Sequence, residues 1–415
     1  MTRTPSFTYR TVALMLSLAV LVSAPCAALG SVANTDVIGT VEISDSADLL
    51  AAAPDIGVPS GLLATFNGEV LWARDADSAR AMASTTKIMT AVVVLEQVEN
   101  LDEVLIVPAK AVRIGESGVG IGAGEQQSIR DLLSAMLVAS ANEAAMALAL
   151  RVGGSVEGFA ALMNQKASEL SLAHTHYTNP HGLDEAGHYT SASDLATLAT
   201  YAMRNPVFRD IVASEKIRIP GPKGQRTIET SNKLLSSLPG ANGIKTGWTD
   251  DAGYCVVASA QRDGIELVAV VLGASSERQR FNEAETLLEW GFGHYRMQTI
   301  SSADTTAALV PVSDYLDMTV PAVVASSTVV PVFDLEGEIT SSIDVVSYVD
   351  APVKAGDRVG TMNVRQGQRL LVQVPLVAAR DVEAPDVWQR IKIWVTRAWR
   401  SVFGGQHRAA PVSVM

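Results

Sequence analysis

Residues 254–273 read YCVVASAQRDGIELVAVVLG, two apolar runs on either side of Arg262-Asp263-Gly264. Runs of this length around a polar turn predict two adjacent strands. A second pair lies near the start of the chain, where GLLATF (61–66) is followed by Asn67-Gly68 and then EVLWARD (69–75). An Asn-Gly dipeptide between two such runs is the strongest short hairpin signal. Between the pairs the pattern is helical, with apolar residues at helical spacing in Ile88 to Leu95, Leu132 to Val138 and Ala144 to Leu150. A further helix is expected from Glu277 to Trp290. Strands at both ends and helices in the middle mean that the sheet joins distant segments. Residues 56–299 are therefore expected to form an α+β domain with a helical cluster on its sheet.

After Ile300 the helical period stops. Short runs TVVPVFDL (328–335), SIDVVSYV (342–349), VGTMNV (359–364) and LLVQVPLV (370–377) alternate with turns at Ala355-Gly356-Asp357 and Gln366-Gly367-Gln368. Residues 300–383 read as a small all-β domain. Then comes DVWQRIKIWVTRAWRSVF (386–403), expected to form an amphipathic helix within residues 384–404, followed by a tail over 405–415. At 100° per residue Val387, Trp388, Ile391, Trp394, Val395, Ala398, Trp399 and Val402 share one face. Arg390, Lys392, Arg397 and Arg400 share the other, and Ile393 is the exception. Such a helix either docks on the protein's own core or lies in a bilayer interface against anionic lipid. Its basic face on an acidic protein and its terminal position favour the membrane.

The N-terminus carries Arg3 and Arg10, the apolar run Thr11 to Val22, and the small residues Ser23-Ala24-Pro25-Cys26-Ala27-Ala28. This is the pattern of a secretory leader, assigned to residues 1–33, with an attached anchor as the alternative. Residues 34–55 have no period and read as a linker. Cys26 falls in the cleavage zone, behind a proline that does not suit lipid attachment. Cys255 lies in an apolar run and is expected to be a buried core thiol. The 415 residues are 48% hydrophobic and 18% charged, with a net charge of −12, which excludes a disordered chain and argues against a nucleic-acid binder. Two cysteines cannot build a disulfide framework.

Three short motifs carry chemistry. Ser84-Thr85-Thr86-Lys87 opens a helix, where backbone N–H groups surround the serine and the lysine lies one turn on, on the same face. A lysine made neutral by burial and a neighbouring cation can take the serine's proton. Ser140-Ala141-Asn142 interrupts two helical stretches, so its hydroxyl and amide sit on a turn, suited to proton relay and to holding a peptide carbonyl. Lys245-Thr246-Gly247 belongs to a strand or strand edge, where glycine admits a second backbone and the two polar side chains can meet a carboxylate. Each alone has an ordinary explanation as a cap or turn. In this order, at 84, 140 and 245, they form the set found in penicillin-binding proteins and class A β-lactamases.

The chain resembles the low-molecular-mass penicillin-binding proteins, the D-alanyl-D-alanine carboxypeptidases, over nearly its whole length. The resemblance rests on ASTTKIMTA (83–91), LLSAMLVASANEAAMALA (132–149), TNPHGLDEAGHYTSASDLA (178–196), NGIKTGWTDDAGYCVVASA (242–260), LGASSERQRFNEAETLLEWGF (272–292), VKAGDRVG (353–360) and PLVAARDV (375–382). It implies a penicillin-binding/β-lactamase-like transpeptidase domain, then an all-β domain and a membrane-anchoring helix, at the outer face of the cytoplasmic membrane. It also implies that Ser84 attacks the carbonyl between the last two D-alanines of a peptidoglycan stem peptide and that Lys87 takes its proton. Ser140 and Asn142 would assist proton transfer and positioning, while Lys245 and Thr246 would meet the terminal carboxylate. The backbone N–H groups of Ser84 and Trp248, the latter following Gly247, would form the oxyanion hole. Arg280, with Arg278 nearby in sequence, would help to bind that carboxylate, and His181 would be structural. Penicillins would be inhibitors, and neither metal nor cofactor is implied. Asn242, Glu143 and Trp248 depart from the common pattern, and Trp248 bears on which peptides fit. A β-lactamase would need an added glutamate, which the surroundings of Glu169 and Glu185 do not supply. A catalytically silent wall-organising protein would show a broken Ser-x-x-Lys, and this one is intact.

Overall fold

The computed structural model describes residues 31–37, 53–404 and 409–414. The described residues fall into two compact units, one within 42–297 together with 331–337, the other comprising the rest. The apolar run Thr11 to Val22, expected to belong to a leader, and Cys26 lie outside the described residues.

The first unit is built on five strands: β1 Ser60–Thr65, β2 Val70–Arg74, β3 Ala241–Thr249, β4 Gly253–Arg262 and β5 Ile265–Ala274. They are hydrogen-bonded antiparallel in the order β2-β1-β5-β4-β3. The pairing of β1 with β5, Leu62 opposite Val270, joins segments some two hundred residues apart. Both hairpins form as expected. Arg262 pairs with Ile265, leaving Asp263 and Gly264 as a two-residue turn with φ of 49° and 81°, the twist a tight hairpin requires.

The seven longest helices described in this unit are α1 Lys87–Gln97, α2 Ile129–Ala139, α3 Asn142–Gly153, α4 Val156–Glu169, α5 Ala192–Ala202, α6 Pro206–Val212 and α7 Glu277–Gly293. Val268, Val270 and Leu272 of β5 pack with Leu62 and Ala64 into the core shared with α1 to α6. Leu267, Ala269 and Val271 turn the other way, against Ala284, Leu287 and Leu288 of α7. Burial on both faces explains why β5 is continuously apolar instead of alternating. Each buried valine or leucine side chain among these contributes roughly 1.5–3 kcal/mol.

Helix α2 starts at a capping box, Ser128 Oγ accepting from Asp131 N at 3.0 Å and Asp131 Oδ2 from Ser128 N at 3.3 Å. It stops at Ser140, whose φ of 64° and ψ of 28° are left-handed, and α3 begins two residues later. The Ser-Ala-Asn motif is thus a corner between two core helices.

The second unit contains β6 Thr306–Pro311, β7 Thr319–Val324, β8 Ile339–Val345, β9 Arg358–Gln366 and β10 Arg369–Ala378. Its sheet runs β8-β9-β10-β7-β6, flanked by Ser31–Val37 beside β8 and Val412–Ser413 beside β6. Ser31–Val37, which spans the end of the expected leader and the start of the expected linker, is an edge strand. Such a strand is held by backbone bonds to its neighbour and needs no apolar period of its own. The change of unit falls between Met297 and Gln298, and Pro331–Gly337 clusters with the first unit. There the Phe333 ring meets Trp290 edge-on at 5.9 Å, and Asp334 binds His294 Nδ1 at 2.7 Å and Arg296 at 2.6 Å.

Helix α8, Val387–Phe403, starts at a capping box between Asp386 and Gln389. Val387, Trp388, Ile391, Trp394, Val395, Trp399, Val402 and Phe403 are exposed. Arg397 donates to the carbonyls of Ser313 and Tyr315, and Arg400 pairs with Asp317 at 3.1 Å. These apolar side chains stay exposed, while Arg397 and Arg400 bind the β-rich unit and the half-buried Ile393 lines a pocket with Tyr315 and Met318. Among the described residues no single helix is long and apolar enough to cross a membrane.

Candidate active site

One turn of 3-10 helix, Ala83–Thr86, delivers Ser84 to the start of α1. Lys87 is fully buried, and its Nζ lies 2.8 Å from Ser84 Oγ, 2.8 Å from Asn142 Oδ1 and 2.6 Å from the His181 carbonyl. Burial, and then the charge of Lys245, hold the Lys87 amine well below its ordinary pKa. Asn142 is itself fixed, its Nδ2 donating to Gly115 O at 3.1 Å and its backbone N to Ser117 O at 2.9 Å. Ser140 stands at the corner before it, with a hydroxyl that has no hydrogen-bond partner among the described residues.

Strand β3 brings in the third motif. Lys245 is buried and donates to Thr246 O at 2.8 Å; burial, and then the Arg280 charge, lower its pKa to about 7. Gly247 is required by proximity, because a Cβ there would lie 2.9 Å from Ser84 N and 3.1 Å from Thr85 N. The strand therefore runs against the serine turn itself. Trp248 is 52% exposed and tilts over Tyr254 with ring centroids 5.9 Å apart.

Arg280 is brought to the same strand, and Arg278 is exposed. Arg280 is only 5% exposed and donates to Gly247 O at 2.9 Å, with Tyr254 and Phe281 rings 5.4 and 4.7 Å from its guanidinium carbon. The imidazole of His181 accepts from Leu183 N at 3.3 Å, and burial lowers its pKa to about 3. That side chain is buried beside its own loop, while its backbone carbonyl lies 2.6 Å from Lys87 Nζ. Cys255 is a buried free thiol pushed up to about 11 by burial.

Several contributors were not identified from the sequence. Ser231 Oγ lies 2.8 Å from Thr246 Oγ1 and its N–H donates to Val138 O at 3.0 Å, tying β3 to the end of α2. Glu143 accepts from Val119 N at 2.8 Å and Ile121 N at 3.3 Å, shaping the loop that carries Gly115 and Ser117. His188 lies 2.8 Å from Thr86 Oγ1. Ser231 has no local signal, being an ordinary serine in a polar stretch. His188 stands within TNPHGLDEAGHYTSASDLA, where nothing in the local pattern distinguishes it.

The D-alanyl-D-alanine carboxypeptidase family profile matches residues 51–276, and that of the penicillin-binding protein 5 C-terminal domain matches residues 295–384. The D-alanyl-D-alanine carboxypeptidase DacC of Escherichia coli is 31% identical over 376 residues, covering 86% of this chain and 92% of its own length. Among solved structures, a D-alanyl-D-alanine carboxypeptidase from Francisella tularensis is 26% identical with a TM-score of 0.59, covering 80% of this chain and 95% of that one. A DD-transpeptidase from Streptomyces is 32% identical with a TM-score of 0.55, covering 58% of this chain and 98% of its own. With both profiles matched in order and the serine, its lysine and the Lys-Thr-Gly strand converging on one site, the chain belongs to the D-alanyl-D-alanine carboxypeptidase family of serine hydrolases.

Proposed function

We propose that this chain removes the terminal D-alanine from peptidoglycan stem pentapeptides through an acyl-enzyme on Ser84. The observation that carries the reading is the set of partners around Lys87 Nζ. Two are carbonyl oxygens, Asn142 Oδ1 and His181 O, which can only accept. A neutral lysine spends its two N–H bonds on them, and its lone pair then faces Ser84 Oγ at 2.8 Å.

Ser84 Oγ attacks the penultimate D-alanine carbonyl as its proton passes to Lys87. The backbone N–H groups of Ser84 and Trp248 stabilise the oxyanion. The C–N bond breaks, the leaving amine takes a proton through Ser140, and D-alanine departs. Water then hydrolyses the Ser84 ester. Lys245 and Thr246 meet the substrate's terminal carboxylate, with Arg280 supporting the strand at Gly247. Penicillins acylate the same serine. No metal or cofactor takes part in this scheme.

We further propose that the protein is exported and held at the outer face of the cytoplasmic membrane. The leader pattern of residues 1–33 supports export, the exposed Trp388, Trp394 and Trp399 of α8 support contact with a bilayer interface, and the exposed Lys392 can meet anionic lipid. Membrane association that survives deletion of residues 384–415 in a fractionation assay rejects the anchor. The enzymatic reading is tested by D-alanine release from an acyl-D-Ala-D-Ala peptide. Release is expected from the wild type and abolished in Ser84→Ala; release by a folded Ser84→Ala protein overturns it.

A further inference from the structure

The Ala83–Ser84 peptide presents its N–H on Ser84 and its carbonyl on Ala83. Ala83 has a φ of 49°, the left-handed region that an alanine does not prefer, so its orientation is held by contacts and not by intrinsic preference. Thr86 Oγ1 donates to Ala83 O at 2.8 Å. Gly182 packs so closely on this bond that a Cβ there would lie 2.0 Å from Ala83 O and 2.8 Å from Thr86 Oγ1.

Behind Thr86 stands His188, whose Nε2 is 2.8 Å from Thr86 Oγ1. The direction of this bond follows from its surroundings. Thr178 N donates to His188 Nδ1 at 3.1 Å, so Nδ1 is an acceptor. Burial lowers the ring's pKa to about 4, which keeps it neutral at physiological pH. The ring proton is then on Nε2 and is donated to Thr86 Oγ1, whose own hydrogen is directed at Ala83 O. Bonds in such a series strengthen one another. The last of them draws electron density toward the Ala83 carbonyl and makes the Ser84 N–H a better donor.

We propose that His188 is a positioning residue for this reaction, acting through Thr86 to orient and polarise the peptide that supplies the oxyanion-hole N–H of Ser84. The inference rests on the reading of Ser84 above. His188 touches neither the Ser84 nor the Lys87 side chain among the described residues, so it transfers no proton. Its effect is confined to the two steps, acylation and hydrolysis of the Ser84 ester, in which negative charge develops on the substrate oxygen.

The test combines steady-state peptide hydrolysis with the acylation rate of a fluorescent penicillin, in full-length wild type, His188→Ala, His188→Gln, Thr86→Val and the His188→Ala/Thr86→Val double variant. Losing a donor outright costs about a hundredfold or more; here the donor stays and loses only its support, so kcat and acylation are expected to fall about tenfold. KM should stay within about twofold, since substrate binding is not the step affected. Both changes break one chain, so the double variant should be no slower than the slower single. His188→Gln recovers most of the loss, its amide N–H reaching toward Thr86 Oγ1. Thr86→Val is nearly isosteric and carries the test if His188→Ala does not fold. Undiminished kcat in folded His188→Ala or Thr86→Val, losses that multiply in the double variant, or a change in KM alone overturns the proposal. A wild type that the penicillin does not acylate overturns the Ser84 reading and this inference with it.

Discussion

Arg280 Nη1 donates to the carbonyl of Gly247 at 2.9 Å, so the helix that follows the sheet grips the strand that carries Lys245 and Thr246. The guanidinium is buried against Tyr254 and Phe281. Its charge acts on the site through a backbone carbonyl and through Lys245, which it helps to hold at about 7.

Replacing Arg280 with Gln removes a charge-assisted bond and is expected to cost about 1.5–3 kcal/mol of stability. The unfolding midpoint in urea checks this. An unchanged midpoint would mean that the bond contributes nothing net.

Asn142→Asp places a carboxylate where a neutral acceptor lies 2.8 Å from Lys87 Nζ. A negative neighbour favours the ammonium form and raises the Lys87 pKa. The base form then appears only at higher pH, so the acid limb of kcat/KM should move alkaline and activity at pH 7 should fall at least about tenfold. A limb that stays in place would remove Lys87 as the titrating base.

Gly247→Ala introduces a methyl 2.9 Å from Ser84 N. Overpacking of this kind costs about 1–3 kcal/mol. Displacement of the strand from the serine turn should also slow acylation by penicillin. Wild-type acylation in a folded variant would contradict the tight fit.

Acid stability follows from two buried imidazoles, His188 at about 4 and His181 at about 3. Both are depressed below the ordinary value near 6.5, so between these limits the unfolded chain binds more protons than the folded one. Their contribution is complete above about pH 6.5 and is lost as the pH falls toward 4, with a slope of up to about 1.4 kcal/mol per pH unit for each histidine. Urea midpoints at pH 6.5 and 4.5 should draw together in His188→Gln relative to wild type. Parallel losses in the two proteins would exclude His188 as a source.

Much of the fold was legible in particular residues. Asn67-Gly68 and Asp263-Gly264 form the turns that their positive-φ tolerance announces. The all-β character of the second unit followed from its period, but Ser31–Val37 did not, since an edge strand can borrow its order from β8. The return of Pro331–Gly337 to the first unit was equally hidden, because TVVPVFDL marks a strand without naming its neighbour.

By itself the sequence determined the local elements, the three motifs and the chemical type of each reacting group, because turns, caps and helical spacing are short-range properties. Only the tertiary structure decided what surrounds those groups. Lys87 finds its second carbonyl acceptor 94 residues away at His181, and Thr86 meets His188 across 102. Burial lowers the pKa values of Lys87 and Lys245, and Arg280 faces a strand carbonyl instead of solvent. These are consequences of packing between segments remote in the chain, and no local propensity encodes which carbonyl will end up 2.6 Å from an amine.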